Sequence, residues 1–274
     1  VLICNTLEEA LAGVDEIMLD KKFGASGNHV VVEEFLTGPE VSVLSFCDGK
    51  TVKPMVSSMD HKRALDHDEG LNTGGMGTVA PNPYYTPEIA ERCMKEIFLP
   101  TVAAMQAEGC PFKGCLYFGL MLTPDGPKVI EYFCGSGDPE TQVVLPLLES
   151  DLLTVMEATT NGTLAETEVK FRDGAAACVI LASGGYPVAY EKGKEITGLT
   201  AGQLDAKGVT VYHSGTALQN GTLVTNGGRV LGVTATANTL PEALKKAYAA
   251  TEGIHFDKLH KRSDIGARAL AAMR

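Results

Sequence analysis

The chain has 274 residues, 45% hydrophobic and 21% charged, which is ordinary globular usage with room for roughly two domains. A formal net charge of −11 without any basic block argues against nucleic acid as a partner, and no apolar run reaches the length of a membrane span. Seven scattered cysteines with no Cys-x-x-Cys pair read as reduced thiols of a cytoplasmic protein rather than a disulfide or zinc framework, and no signal-peptide pattern is read at the start.

In chain order, Val1, Leu2 and Ile3 read as a strand already under way, the start of a truncated chain. Thr6-Leu7-Glu8-Glu9 reads as a capping box, followed by Leu7, Leu11, Val14 and Met18 at helical spacing. Gly24 and Gly27-Asn28 mark a loop, and Val30 to Phe35 has the composition of a strand. Val41 to Phe46, turned by Asp48-Gly49 into Thr51-Val52, predicts a hairpin. Residues 57–85 look structureless, and a stretch of that length inside a compact domain usually carries function. Thr86-Pro87-Glu88 starts a helix with the stripe Ile89, Cys93, Ile97, Val102 and Met105, bent near Pro100. Leu116–Leu122 and Lys128–Tyr132 pair around Asp125-Gly126, and Asp151 to Thr160 is a helix. Glu166 to Arg172 reads as a linker, placing a domain boundary near 169. Beyond it come strands Ala175–Leu181, Val209–His213 and Arg229–Thr236, then a second capping box at Thr239-Leu240-Pro241-Glu242.

Four stretches can carry chemistry. A strand ending in Glu33, Phe35 and Leu36, with Glu40 beyond it, suits the edge of an adenine and the hydroxyls of a ribose; a plain amphipathic strand with a solvated end fits as well. Asp60-His61-Lys62-Arg63 offers two cations to a phosphate, or is simply a solvated charge run. Asn72-Thr73-Gly74-Gly75-Met76-Gly77 holds three glycines among six residues, which lets backbone N–H groups approach an anion, or makes a flexible turn. It is no Walker loop, because no Gly-Lys-Ser/Thr follows. Glu131, at the end of Lys128-Val129-Ile130-Glu131-Tyr132, suits Mg²⁺, which keeps most of its water and needs few protein carboxylates; the alternative is a sheet-edge Glu before the polar turn Gly137 to Gln142. His213, His255 and His260 have no metal-ligand spacing and read as structural.

Taken in order, Glu33-Glu34-Phe35-Leu36-x-Gly38, Asp60 to Ala64, Asn72 to Gly77, Gly137-Asp138-Pro139-Glu140-Thr141-Gln142 and Ala182-Ser183-Gly184-Gly185-Tyr186-Pro187 resemble the glycinamide ribonucleotide synthetases. Gly227 to Thr234 and Arg262-Ser263-Asp264-Ile265-Gly266 extend the likeness over essentially the whole chain. The resemblance implies an α+β fold, an ATP-grasp core with an antiparallel sheet plus a smaller β-rich C-terminal domain. It divides the chain into 1–34 (remainder of the small lobe), 35–168 (catalytic core) and 169–274 (C-terminal domain). It implies ligation of glycine to 5-phosphoribosylamine through a glycyl phosphate, with ATP and Mg²⁺ or Mn²⁺, in a monomer or homodimer. Glu33, Phe35, Leu36 and Glu40 would surround adenosine and Glu131 would bind metal. Asp60, Gly75 and Asp138 would line the substrate side, with Lys62, Asn72 and Asp138 taking catalytic roles.

The chain departs from the family pattern after Glu131, where an Asn, a small residue, Arg, Phe and Gly are expected. Phe133 stands at the second metal ligand, Gly135 at the Arg, and Ser136 at the Phe. Loss of one charge-assisted contact costs about 1.5–3 kcal/mol of binding. Weak Mg²⁺–ATP binding and little turnover are therefore expected. Two other functions stay open: a non-catalytic nucleotide-binding pseudo-enzyme, and another ATP-grasp carboxylate–amine ligase.

Overall fold

The computed structural model describes residues 2–199 and 208–274. The chain divides into two units, Val1–Gly38 and Pro39–Arg274. The first unit holds helix α1 (Leu7–Met18) and a 3₁₀ turn over Gly24–Asn28. Thr6 Oγ1 accepts from Glu9 N at 3.2 Å, as a cap should, but the Glu9 carboxylate takes the N–H of Asn5 at 2.6 Å, one residue before the expected partner. Leu2 and Ile3 are in no strand, and Val1 lies outside the described residues. Val30–Phe35 joins no sheet either, and Val31 and Val32 are 81% and 84% exposed. β-branched composition makes a strand only where a neighbouring strand takes its hydrogen bonds. No other described segment of this unit is a strand.

The second unit opens with the expected hairpin, β1 (Glu40–Asp48) and β2 (Val52–Pro54). Asp48 closes it by accepting from Thr51 N at 2.7 Å. The 57–85 stretch is not structureless: it contains β3 (Met59–Asp60), β4 (Arg63–Leu65), β5 (Glu69–Asn72) and β6 (Gly77–Ala80). Helices α2 (Pro87–Cys93) and α3 (Leu99–Ala107) are joined by a π turn over Met94–Phe98, directly before the Pro100 at which a bend is expected. The hairpin β7 (Lys113–Thr123) and β8 (Gly126–Phe133) follows, then α4 (Thr141–Val144) and α5 (Leu152–Asn161), the latter capped by Asp151. After these come β9 (Ala175–Ser183), β10 (Val209–His213), β11 (Thr216–Gln219), β12 (Thr222–Thr225) and β13 (Arg229–Ala237). Helix α6 (Leu240–Thr251), strand β14 (Leu259–His260) and helix α7 (Ala267–Ala272) end the chain. Thr239 stands at the N-cap of α6 but its side chain caps nothing, so the second predicted box is only a helix start.

Two antiparallel sheets organise this unit. In the first, the order is β2-β1-β7-β8. Val41, Val43 and Cys47 of β1, with Leu116, Phe118 and Leu120 of β7, pack against Cys93, Ile97, Phe98 and Val102 of the helix pair. Side chains alternate across a strand, so Ser42, Leu44 and Phe46 point the other way, and Leu44 and Phe46 join the larger core. In the second sheet the order is β10-β13-β9-β6-β3, with β14 also on β9. The short strands β3 and β6 thus enter the same sheet as strands that lie beyond residue 169. The seven cysteines are all free, and no described helix is long and apolar enough to cross a membrane.

Candidate functional site

The Asp60 and Asn72 runs are antiparallel neighbours. Met59 and Asp60 pair with Val79 and Thr78, and Arg63 pairs with Asn72. Between these pairs, Met76 N donates to His61 O at 2.8 Å, and Thr73 N donates to Lys62 O at 2.7 Å. The glycines serve close approach. Gly75 has φ +116, and a Cβ there would lie 2.5 Å from Pro139 Cδ and 2.6 Å from Asp60 Oδ1. The turn is not the expected cradle of free N–H groups. Gly74 N donates to Tyr186 Oη at 2.9 Å and Gly75 N to Thr73 Oγ1 at 3.0 Å, so together with the two bonds above the donors of 73–76 are all engaged.

Around this turn sits a cluster of buried charge. Asp60 Oδ1 accepts from His61 N at 2.7 Å and from Thr78 Oγ1 at 3.3 Å. Asp60 Oδ2 has no hydrogen bond among the described residues and lies 3.4 Å from Lys62 Nζ. Burial, and then the nearby Glu140 carboxylate, push the Asp60 carboxyl up to about 7, against the pull of Lys62. Burial alone would lower the Lys62 ammonium; Asp60, Glu140 and Glu131 outweigh it and hold it above its ordinary value. Glu140 is itself buried, and burial raises it. Its Oε1 accepts from Tyr117 Oη at 3.2 Å and Ser42 Oγ at 3.5 Å, and those two hydroxyls lie 2.7 Å apart. His61 is held neutral: burial drops it to about 4, Gly266 N donates to its Nε2, and its Nδ1 therefore donates to Gly77 O.

The register of the first sheet brings two of the acidic candidates, Glu40 and Glu131, to one face. Ser42 is opposite Gly119, Gly119 is opposite Glu131, and Glu40 is opposite Met121. Directly paired residues share a face, so Glu40, Ser42, Tyr117 and Glu131 all project from the same side. Gly119 leaves room for the Glu131 side chain, whose Cγ would be 2.9 Å from a Cβ at 119. Asp138 Oδ1 accepts from Gln142 Nε2 at 2.9 Å and lies 3.3 Å from Arg229 Nη1. Asn72 is exposed at the end of β5. Glu33, Phe35 and Leu36 belong to the first unit, with Phe35 68% exposed.

No group of three His, Cys, Asp or Glu suited to a metal occurs among the described residues. One exposed carboxylate, Glu131, fits a cation held mainly by water and phosphate oxygens. Phe133 adds no donor: it is 55% exposed, and its ring lies over Gly135, where a Cβ would be 2.7 Å from Phe133 Cε1.

Sequence reasoning gave no role to Glu140, Tyr117, Ser42, Arg229 or Tyr186. Glu140, an acid just ahead of the apolar run Val143 to Leu147, carried a signal, since a charge beside such a run needs a partner. The other four gave none without the sheet register.

The phosphoribosylglycinamide synthetase ATP-grasp (A) domain model matches residues 1–141, and the C domain model of the same synthetase matches 176–268. The chain is 47% identical over 272 residues to a phosphoribosylamine–glycine ligase of Vibrio vulnificus, covering 99% of this chain and 63% of that protein. It is 48% identical to the human trifunctional purine biosynthetic protein adenosine-3, over 27% of that protein's length. A crystal structure of phosphoribosylamine–glycine ligase from Thermotoga maritima superposes with a TM-score of 0.85 at 35% identity, over 96% of this chain and 64% of that one. The biotin carboxylase domain of a Hydrogenobacter thermophilus 2-oxoglutarate carboxylase, solved with MgADP, shares the fold at 13% identity and a TM-score of 0.67.

Proposed function

The chain belongs to the phosphoribosylglycinamide synthetase family, with the α+β ATP-grasp fold, and from that premise we propose that it carries the site that ligates glycine to 5-phosphoribosylamine at the expense of ATP. It spans about two thirds of the length of the single-function relatives it matches, 63% of the Vibrio ligase. The observation that supports the reading best is the meeting of three sequence motifs: Asp60 and Lys62, the Gly75 turn, and Asp138. They lie beside a sheet face that also presents Glu40 and Glu131, and the Glu131 charge reaches Lys62.

In this reading Glu131 would hold Mg²⁺ or Mn²⁺, which supplies charge neutralisation at the nucleotide phosphates. Lys62 contributes a positive charge. Its ammonium is fixed by the buried Asp60 and Glu140, and its side chain is still 37% exposed, so it can meet a phosphate or carboxylate oxygen. Asp138, held on one oxygen by Gln142 and Arg229, has its other oxygen for the amine of glycine or phosphoribosylamine. Glu33, Phe35, Leu36 and Glu40 are assigned to the adenosine, Gly75 to substrate, and Asn72 to the catalytic set, on the family likeness. The domain division near 169 is likewise proposed on that likeness, and it falls between the two family models.

The test is ADP release from this chain. Release that requires both glycine and freshly generated 5-phosphoribosylamine, however slow, supports the ligase. ATP hydrolysis indifferent to both would refute the glycine ligase, and tight nucleotide binding with no release at any enzyme concentration would leave the non-catalytic alternative.

A further inference from the structure

We propose that Arg229 is a positioning residue: its guanidinium, carried on β13, clips the 72–77 turn to the 137–142 turn and so fixes where Lys62 and Asp138 point. Its functional consequence rests on the ligase reading above. Nη1 donates to Gly74 O at 2.8 Å and to Asp138 O at 2.6 Å, one carbonyl from each turn, and lies 3.3 Å from Asp138 Oδ1. The guanidinium rests against Gly74, where a Cβ would be 3.0 Å from Cζ and 3.1 Å from Nη2, so a side chain at 74 would push it away. The other end of the same residue is held by Tyr186, whose hydroxyl takes the Gly74 N–H. That ring in turn occupies space kept open by Gly228, where a Cβ would be 2.2 Å from Tyr186 Cδ2. Thus two side chains from the C-terminal third grip one glycine of the turn from its N–H and its C=O.

The grip reaches the charged residues over short paths. Thr73, next to Gly74, is bonded twice to Lys62 O, through its N–H at 2.7 Å and its hydroxyl at 2.8 Å. On the far side, Arg229 and Gln142 share Asp138 Oδ1. A guanidinium is suited to this because its donors are planar and rigid and its charge does not titrate. Without it two carbonyls, one in each turn, lose a charged donor.

The experiment compares Arg229→Ala and Arg229→Lys in the full chain by amide hydrogen exchange, thermal unfolding, and calorimetric binding of glycine and of ribose 5-phosphate, a stable stand-in for the amine. For Arg229→Ala, the amides of Gly74, Gly75 and Met76 should exchange at least about tenfold faster, and ribose 5-phosphate should bind about tenfold or more weakly. Amides of β9 and β13 should keep their protection. Added guanidinium at millimolar concentration should restore both effects, and Arg229→Lys should retain part of each. Unchanged protection at 74–76, or an even loss across β9 and β13, overturns the proposal, as does unchanged affinity in a chain that binds the probe. If Arg229→Ala does not fold, Arg229→Lys decides: faster exchange confined to residues 74–76, with β9 and β13 still protected, supports the clip, and no change refutes it. If the parent chain binds neither probe, the ligase reading falls, while the exchange data still decide the clip.

Discussion

Asp60 shows how one side chain can oppose the fold that holds it. Its carboxyl ionises at an ordinary 3.8 when solvated and at about 7 in the fold. Between those values the unfolded chain has released the proton and the folded chain has kept it. Stability from this group is therefore greatest below 3.8 and declines as pH rises to 7. Asp60→Asn should remove that decline, so urea unfolding should favour the variant over the parent more at pH 8 than at pH 5. The reverse ordering would mean that Lys62 keeps Asp60 ionised and that burial is not the dominant cause. His61 works with the opposite sign: lowered from 6.5 to about 4, it supports the fold above 6.5 and withdraws that support as pH falls toward 4. Phe133 and Gly135 form a second residue-scale case. With the Phe133 ring lying over Gly135, Gly135→Arg alone has to displace that ring and should lower the melting temperature. Phe133→Asn, at an exposed position, should be nearly neutral, and the double variant should recover what the single Arg loses. A coupling of about 0.5–3 kcal/mol is expected from a double-mutant cycle. Metal-dependent nucleotide affinity should rise in both variants that carry Phe133→Asn, since that change supplies the donor oxygen. Additive effects in the cycle would show that ring and glycine are independent.

Among the elements, the glycine-rich turn is the most tightly constrained. Gly75→Ala must place a methyl against Pro139 and Asp60 at a positive φ, and should cost about 1–3 kcal/mol or more in chemical denaturation. Gly109→Ala is its control, with positive φ but nothing within 4 Å, and should cost clearly less. The β4–β5 pair is held from the C-terminal end. The buried Arg262 forms a bidentate pair with Asp264 at 2.8 and 2.9 Å, and its Nη1 reaches Asp68 at 2.9 Å and Arg63 O at 3.1 Å. Despite partial burial, Asp264 is pulled down to about 2 by Arg262 and by the His67 N–H. Arg262→Met leaves these carboxylates without their cation and should cost about 3 kcal/mol or more, read by urea unfolding. At this scale legibility followed sequence distance. The β1–β2 and β7–β8 hairpins and helix α5 were readable because turn, cap and partner lie within a few residues of one another. The strands between 57 and 85 were not, since β3 and β6 flank the inserted β4–β5 pair, and β6 finds its other neighbour in β9. Val30 to Phe35 erred the other way, having the composition of a strand but joining no sheet.

For the molecule as a whole, that β6–β9 pairing gives the boundary near 169 a testable meaning. All four residues of β6 are buried, and Val79 and Ala80 lie in the core that includes β9 and β13. A fragment of residues 39–168 should therefore lack cooperative thermal unfolding and should bind a hydrophobic dye. A sharp, reversible transition in that fragment would show that residues 39–168 fold without the strands that follow. The sequence by itself determined the family, the order of the motifs, most of the helices and the local hairpins, because these depend on residues near one another along the chain. It also singled out Asp60, Lys62, Gly75, Glu131 and Asp138 as candidates. Only the tertiary structure decided that the Asp60 and Asn72 runs are paired, that Glu140 and Tyr117 complete the buried charge cluster, and that Arg229 and Tyr186 reach back to Gly74. The physical reason is that the electrostatics of a buried carboxylate, and the partner of a backbone carbonyl, are set by distance through space, which sheet register and packing fix and local sequence does not encode.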